Sequence, residues 1–329
     1  MKRLKILQAG LGGFGKSWVK IIGESGEWEL AGIADVNREN LDGAAKEYGI
    51  PAEKCFTSFD EAVKKTEPSA LLNVTPPEFH KGLSIRAFKA GLDVLVEKPL
   101  SDNMKDAEEM VASAEKTGRK FMVSQNYRYR SRPRTLKKLL DEEIAGKISY
   151  VKVDFQKMAA FSGFRAEMDY PLLIDMAIHH FDLMRYITGK NPVRIYTDSW
   201  NPSWSRAKGD AAFNIMIEFA GNIHLSYSGS WVSAGKETSW DGTWEIYGEK
   251  GTLSLQDGTI FFITEKGMKK ISALKLERED RYMALYEFYS SIKENREPET
   301  SGRDNLNSLS MVFNALKSAK SGQAVAFCK

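Results

Sequence analysis

The chain has 329 residues, 42% of them hydrophobic, and its 47 basic and 44 acidic side chains are dispersed for a formal charge of +3. That balance gives no reason to expect nucleic acid or a membrane as partner, and the length suits two domains with separate cores. The only cysteines, Cys55 and Cys328, argue against a disulfide framework, and no Cys/His cluster has zinc spacing, so no metal is expected.

Met1-Lys2-Arg3 runs directly into a strand, without space for a cleaved leader, and no apolar run approaches the ~18 residues of a membrane span. A cytoplasmic protein is expected. The first strand, Lys5–Ala9, ends in Gly10-Leu11-Gly12-Gly13-Phe14-Gly15, the spacing GxGxxG. Gly10 allows the tight turn, Gly12 lets bare backbone approach a pyrophosphate, and Gly15 lets the next helix pack close. That helix, opening around Phe14, points free N–H groups at the phosphates. The second strand, Leu30–Ala34, delivers Asp35 at its carboxyl end, where a carboxylate accepts both ribose hydroxyls of an adenosine and repels a 2′-phosphate. NAD is therefore the expected cofactor, with NADP left open by the nearby Arg38.

Helices over Arg38–Tyr48 and Ser58–Thr66 follow, the latter with a capping box from Ser58 to Glu61. A strand over Ala70–Val74 ends in Thr75-Pro76-Pro77, with His80 just inside the helix Glu78–Ala90. The strand Val94–Val96 ends in Glu97-Lys98-Pro99, which sets an ammonium at a strand terminus. A helix over Met104–Thr117 and a strand over Lys120–Ser124 complete an alternation that reads as α/β. Residues 1–124 are thus expected to form a doubly wound parallel sheet with a dinucleotide at its carboxyl edge. Its expected cofactor contacts are Gly10, Gly12, Gly13, Phe14, Gly15, Asp35, Arg38, Thr75, Pro76, His80, Glu97 and Lys98.

Residues 125–329 read differently. A helix is expected over Arg134–Ala145 and a strand over Ser149–Gln156, then a loop carrying Phe161, Phe164 and Arg165. Alternating strands follow from Val193, and two helices, Asp280–Glu294 and Asn305–Ser321, close the chain. The pattern suits an α+β domain on a mostly antiparallel open sheet. Between these elements lies a helix expected over Leu172–Thr188, apolar nearly all round and hence buried. At about 100° per residue, Asp175, His179, Asp182 and Tyr186 form one polar line on it. That line must face a hydrogen-bond network or a wet cleft. His180 lies off the line, as a packing or interface histidine would.

Taken together, GxGxxG with Asp35, Thr75-Pro76-Pro77, Glu97-Lys98-Pro99, Asn126-Tyr127-Arg128 and Asp175-x-x-x-His179 resemble the glucose–fructose oxidoreductase, inositol dehydrogenase and rhizopine-catabolism (Gfo/Idh/MocA) family. The resemblance covers essentially the whole chain. It implies that Lys98, Asp175 and His179 line the nicotinamide and substrate, and that the Lys98–Pro99 bond is cis. It departs at Met176-Ala177, where many relatives carry a glycine, a change expected to affect helix packing more than chemistry.

The resemblance also implies a hydride transfer between NAD(H) and a secondary hydroxyl or carbonyl of a sugar, polyol or sugar derivative. In that reading His179 takes the hydroxyl proton, Lys98 donates to the developing alkoxide, and Asp175 orients one of them and offsets their charge. The roles of Lys98 and His179 can also be exchanged. The expected substrate side comprises Asn126, Tyr127, Arg128, Arg165, Asp175 and His179. Arg128, Arg130 and Arg132 would share one face if extended and favour an anionic substrate group, or simply form a solvated basic face. Phe161, Phe164, Trp200, Trp204 and Trp231 would stack on sugar rings, or pack. The family further implies a homodimer or homotetramer through the open sheet. Two rivals on the same fold are a glycosidase that oxidises transiently with held NAD, and a regulator that binds dinucleotide without turnover.

Overall fold

Short buried strands alternate with amphipathic helices through the first third of the chain, and several of the helices carry their own capping residues. The computed structural model describes residues 3–160 and 164–327, apart from the side chains of Phe164 and Arg165; Phe161 and Cys328 lie outside the described residues. The elements are β1 (Leu4–Ala9), α1 (Gly13–Glu24), β2 (Trp28–Ala34), α2 (Arg38–Tyr48), β3 (Cys55–Phe56) and α3 (Phe59–Thr66). They continue as β4 (Ala70–Asn73), α4 (Pro77–Lys89), β5 (Asp93–Val96), α5 (Met104–Thr117) and β6 (Phe121–Val123). Asn37, Ser58 and Asn103 cap α2, α3 and α5 by accepting backbone N–H bonds in the first turn.

The strands form a six-stranded sheet in the order β3-β2-β1-β4-β5-β6, all pairs parallel. β4 and β5 are buried at every position, which is why they read as plain apolar runs rather than alternations. The strand order reverses at β1/β4, and in such sheets the ligand crevice lies outside the carboxyl ends at that reversal.

The chain divides into two compact units, residues 1–126 with 278–306, and residues 127–277 with 307–329. The expected division at 124/125 is therefore corrected in one respect: Arg278–Leu306, assigned by sequence to the second domain, belongs with the first. The cause is packing. On α9 (Asp280–Lys293), Phe288 stacks on Trp28 at 5.5 Å between ring centroids, and Trp28 Nε1–H donates to the Leu285 carbonyl at 3.2 Å. Thr300 then bonds β6 through both its carbonyl and its hydroxyl.

The second unit holds α6 (Ser131–Asp141), β7 (Ile148–Gln156), α7 (Phe164–Glu167), α8 (Ala177–Thr188), β8 (Pro192–Trp200), β9 (Ala212–Phe219), β10 (Ile223–Ser230), β11 (Thr243–Gly248), β12 (Gly251–Gln256), β13 (Thr259–Thr264) and β14 (Gly267–Ile271). α10 (Gly302–Ser321) enters it from Asn307, and β15 (Val325–Ala326) pairs with β8. The nine-stranded sheet runs β14-β13-β12-β11-β7-β10-β9-β8-β15, antiparallel except between β7 and β10. One face, with Val153, Phe155, Phe213, Ile215, Leu225 and Tyr227, is buried against Ile178, Phe181 and Met184 of α8. The opposite face is open. The helix expected over 172–188 is two pieces: Leu172–Met176 is a π-helical turn, closed by an Ala177 N–H bond to the Leu172 carbonyl, and α8 follows. Asp175 lies in that wider turn, so its angle to His179 departs from the regular helical line.

Candidate functional site

In the first unit the chemistry-bearing residues gather at the carboxyl ends of β1, β2, β4 and β5. Gly10 has φ +91°, and a Cβ there would meet the Val74 carbonyl carbon at 2.5 Å; at Gly15 it would meet the Gly10 carbonyl oxygen at 2.3 Å. Gln8 braces the turn from below, its Nε2–H donating to the carbonyls of Gly10 (3.1 Å) and Gly15 (2.7 Å). Outside Gly12 and Gly13 the space is open, with no atom within 4 Å of an added Cβ. The α1 N-terminus carries no side-chain cap and no acidic residue in its first turn. A bare, positively polarised helix end facing open space fits a dinucleotide pyrophosphate. Phe14, 54% exposed, stands at that end.

Asp35 accepts N–H bonds from Leu11 (2.7 Å) and Asn37 (2.8 Å), which fixes its carboxylate beside the glycine turn. Arg38 turns along α2 to pair with Asp42 at 3.0 Å on the exposed face, a contact of small energy. Asn73 shapes the next turn: its Oδ1 accepts the Thr75 hydroxyl at 2.7 Å and its Nδ2–H donates to Ser84 Oγ at 3.2 Å. Pro76 then precedes α4, with Pro77 in the first turn where no N–H is needed.

Two expected cofactor contacts turn their side chains inward. His80 is buried with Nε2 2.7 Å from the Thr75 carbonyl and Nδ1 3.1 Å from the Leu100 carbonyl, so it ties together the loops after β4 and β5. Burial pushes its imidazole below the ordinary histidine value, against the pull of those carbonyls. Glu97 also points inward: Trp18 Nε1–H donates to its Oε1 (2.8 Å) and the Lys98 N–H to its Oε2 (3.0 Å). Burial raises its pKa, opposed by the charge of Lys98 and the Trp18 bond. Both residues hold the backbone that presents Lys98, and the Lys98–Pro99 peptide is cis.

In the second unit the tyrosine and arginines around residue 130 behave otherwise than as an extended face. Asn126–Tyr129 form a 3-10 turn, and Asn126, still part of the first unit, donates its Nδ2–H to the Asp280 carboxylate of that same unit. Arg128, expected on the substrate side, is buried instead: Nε–H and Nη2–H donate to the two carboxylate oxygens of Asp182 at 2.5 and 2.7 Å. Ser308 Oγ–H adds a 2.7 Å bond to the same carboxylate. Asp182 of the polar helix line thus enters a network rather than a wet cleft. Arg130 and Arg132 converge on the buried Asp241 at 2.7 and 3.1 Å, so their charge is answered within the protein.

The ring of Tyr127 lies flat on the His179 imidazole, centroids 4.2 Å apart and planes 13° apart. The guanidinium of Arg130 covers Tyr127 at 3.3 Å. His179 is therefore held in a stack, Arg130 over Tyr127 and Tyr127 beside the imidazole, anchored by Asp241. Sequence reasoning placed Tyr127 among substrate contacts and missed Asp241 altogether; Trp240-Asp241-Gly242 carries no local signal of this partnership. Arg165 lies in α7, its side chain outside the described residues. Trp231 is buried, whereas Trp200 and Trp204 flank an open groove of about 860 Å³ with Asn214, Ser228 and Lys236 on the uncovered sheet face. Among the described residues no group of His, Cys, Asp and Glu has the arrangement of a metal site, and no helix is long and apolar enough to cross a membrane.

His180 turns away from His179 into the core. Its Nε2–H donates to the Trp240 carbonyl at 3.0 Å, and the Tyr227 hydroxyl donates to Nδ1 at 2.6 Å. Burial lowers its pKa to about 4. Between the ordinary value and that one, the unfolded chain binds a proton the folded chain refuses, so stability falls as pH falls through the window. Urea midpoints taken from about pH 7.5 to about pH 5 should show a loss near 2 kcal/mol that His180→Asn lacks. Equal pH slopes in both proteins would refute this.

Comparison with known proteins places both units in one family. The GFO/IDH/MocA oxidoreductase-family model, an NAD-binding Rossmann fold, matches residues 4–125, and the GFO/IDH/MocA C-terminal domain matches residues 134–254. The chain is 23% identical to 1,5-anhydro-D-fructose reductase of Ensifer adhaerens, over 90% of each chain. It is 24% identical to myo-inositol 2-dehydrogenase of Thermotoga maritima, again over 90% of each. An oxidoreductase from Agrobacterium radiobacter, solved with NAD+, L-tartaric acid and magnesium, shares the fold at a TM-score of 0.90 and 20% identity, covering 99% of this chain and 98% of its own.

Proposed function

The chain belongs to the GFO/IDH/MocA oxidoreductase family, and from that premise we propose that it moves a hydride between NAD(H) and a secondary hydroxyl or carbonyl carbon of a sugar, polyol or sugar derivative. One observation carries this reading: Lys98 stands at the carboxyl end of β5, on the same ligand-bearing edge as the glycine turn of β1, with its backbone fixed by buried Glu97. The two relatives named above act, by their names, on an anhydrosugar and a polyol.

Bound NAD supplies the hydride acceptor or donor at C4 of its nicotinamide. The chain's own residues do the rest. Gly12 and Gly13 admit the pyrophosphate, and Asp35 accepts the adenosine ribose hydroxyls, which favours NAD over its 2′-phosphorylated form. Lys98 donates to the substrate oxygen and stabilises the alkoxide; His179 exchanges the proton; Asp175 orients one of these groups. The stack of Arg130 and Tyr127 keeps the imidazole from rotating, so its nitrogen meets the hydroxyl in one orientation. The uncovered sheet face presents Tyr150, Met216, Tyr247, Ile263 and Met268 to solvent. These exposed apolar residues support a homodimer or homotetramer formed through that face, which the mass in solution tests.

The deciding experiment is NADH formation from NAD+ by the purified protein across aldoses, inositols, sugar acids and anhydrosugars. Turnover is expected with at least one class. Silence across the panel with NADH binding intact overturns the dehydrogenase reading, and cleavage of a chromogenic glycoside without net NADH replaces it with transient-oxidation hydrolysis.

A further inference from the structure

A cation stands at the wrong end of a helix. Arg281, the second residue of α9, donates from Nη1 to Ser17 Oγ at 2.6 Å, and its guanidinium lies 4.6 Å from the Phe14 ring and 5.4 Å from the Trp18 ring. All three partners belong to the first turns of α1, the end whose peptide dipole is positive. A guanidinium there is repelled by the helix unless an anion lies between them. No acidic residue occupies that first turn. The buried Glu97 carboxylate feels the charge of Arg281, but its oxygens are bonded to Trp18 and the Lys98 N–H.

The placement is also built. Asp280, directly before Arg281, adopts a left-handed backbone (φ +58°), and its carboxylate accepts the Arg281 N–H at 2.9 Å and the Asn126 side-chain N–H. Trp28 locks the same helix through its stack on Phe288. The chain thus returns, more than 250 residues after the glycine turn, to put one arginine beside it. Ser17 takes a single N–H of that arginine, so donors of the guanidinium remain for an anion.

We propose that Arg281 is a cofactor-binding residue whose guanidinium pairs with the NAD pyrophosphate held on the α1 N-terminus. The proposal rests on the NAD-binding reading of the first unit. Arg281 lies outside the residues matched by the NAD-binding model, so nothing in the local glycine motif announces it. Helix N–H groups and a guanidinium then clamp one diphosphate from two sides, and Phe14 packs beneath the guanidinium.

The test is binding rather than turnover. Dissociation constants for NADH and ADP-ribose are measured by titration calorimetry on wild type, Arg281→Met, Arg281→Lys and Ser17→Ala. Methionine keeps the aliphatic stem over Phe14 and Trp18 and removes the charge. It is expected to weaken both ligands by about 10- to 100-fold. Lysine should recover part of that loss, and Ser17→Ala should cost only a few-fold because the charge remains. Should Arg281→Met prove unfolded by circular dichroism, the lysine and Ser17 variants carry the test, through a reduced salt dependence of binding in neither and weakened affinity in both. Arg281→Met, or failing that both remaining variants, binding within about two-fold of wild type overturns the proposal. Absence of NADH binding by wild type itself overturns the underlying reading instead.

Discussion

Lys98→Ala is expected to lower turnover by about 10²–10⁴ while NADH affinity stays within a few-fold of wild type. That range corresponds to about 3–5.5 kcal/mol of transition-state stabilisation. The asymmetry between turnover and affinity follows from where the ammonium acts. In the proposed role it meets charge that develops on the substrate oxygen only as the proton leaves, so its removal should raise the barrier more than it weakens cofactor binding. The backbone at this position is held by Glu97 and by the His80 tie between the loops, so truncating the side chain leaves the presentation intact. Lys98→Arg should rescue little, because a guanidinium keeps the charge but not the compact donor that can also pass a proton. Steady-state kinetics with the substrate found by the panel, alongside NADH titration, measures both quantities. A near-normal kcat in Lys98→Ala refutes the catalytic assignment.

Asp182→Ala is expected to cost about 3–5 kcal/mol of stability. Removing the carboxylate takes from the buried Arg128 guanidinium both of its charge-assisted bonds to Asp182. Ser308 loses its acceptor at the same time. The paired change Arg128→Met with Asp182→Leu should recover most of the loss, since it removes both desolvated charges together. Urea unfolding of the two variants separates a costly orphan from an intrinsically valuable pair. A loss under about 1 kcal/mol in Asp182→Ala would show that water reaches the site. Arg128 directly follows Tyr127 in a short turn, so loosening it should also loosen the stack on His179 and, if His179 acts as proposed, lower kcat.

The cofactor half of the site was legible in the sequence because its chemistry is local. A strand, a glycine turn and a helix start are written within a dozen residues, and Asp35 and Lys98 stand where strands end. β4 and β5 were legible for a related reason, being buried on both faces. The inward turn of Glu97 was not, since an acid beside a lysine reads as exposed until Trp18 is found above it. β14 escaped notice as a lysine-bearing edge strand without apolar alternation. The π-helical turn at Leu172–Met176 escaped because an apolar run has the same composition in either helix.

By itself, then, the sequence determined the doubly wound first unit, the largely antiparallel second one, the cofactor class and the identity of Lys98, Asp175 and His179 as candidates. These depend on backbone geometry set by neighbours along the chain, through turns, caps and the periodicity of burial. Only the tertiary structure decided which polar residues find their partners within the fold. It sent Arg128 to Asp182, Arg130 and Arg132 to Asp241, and Arg281 back to the first helix. The physical reason is that a buried charge is answered by whatever partner packing brings within about 3 Å, at any distance along the chain.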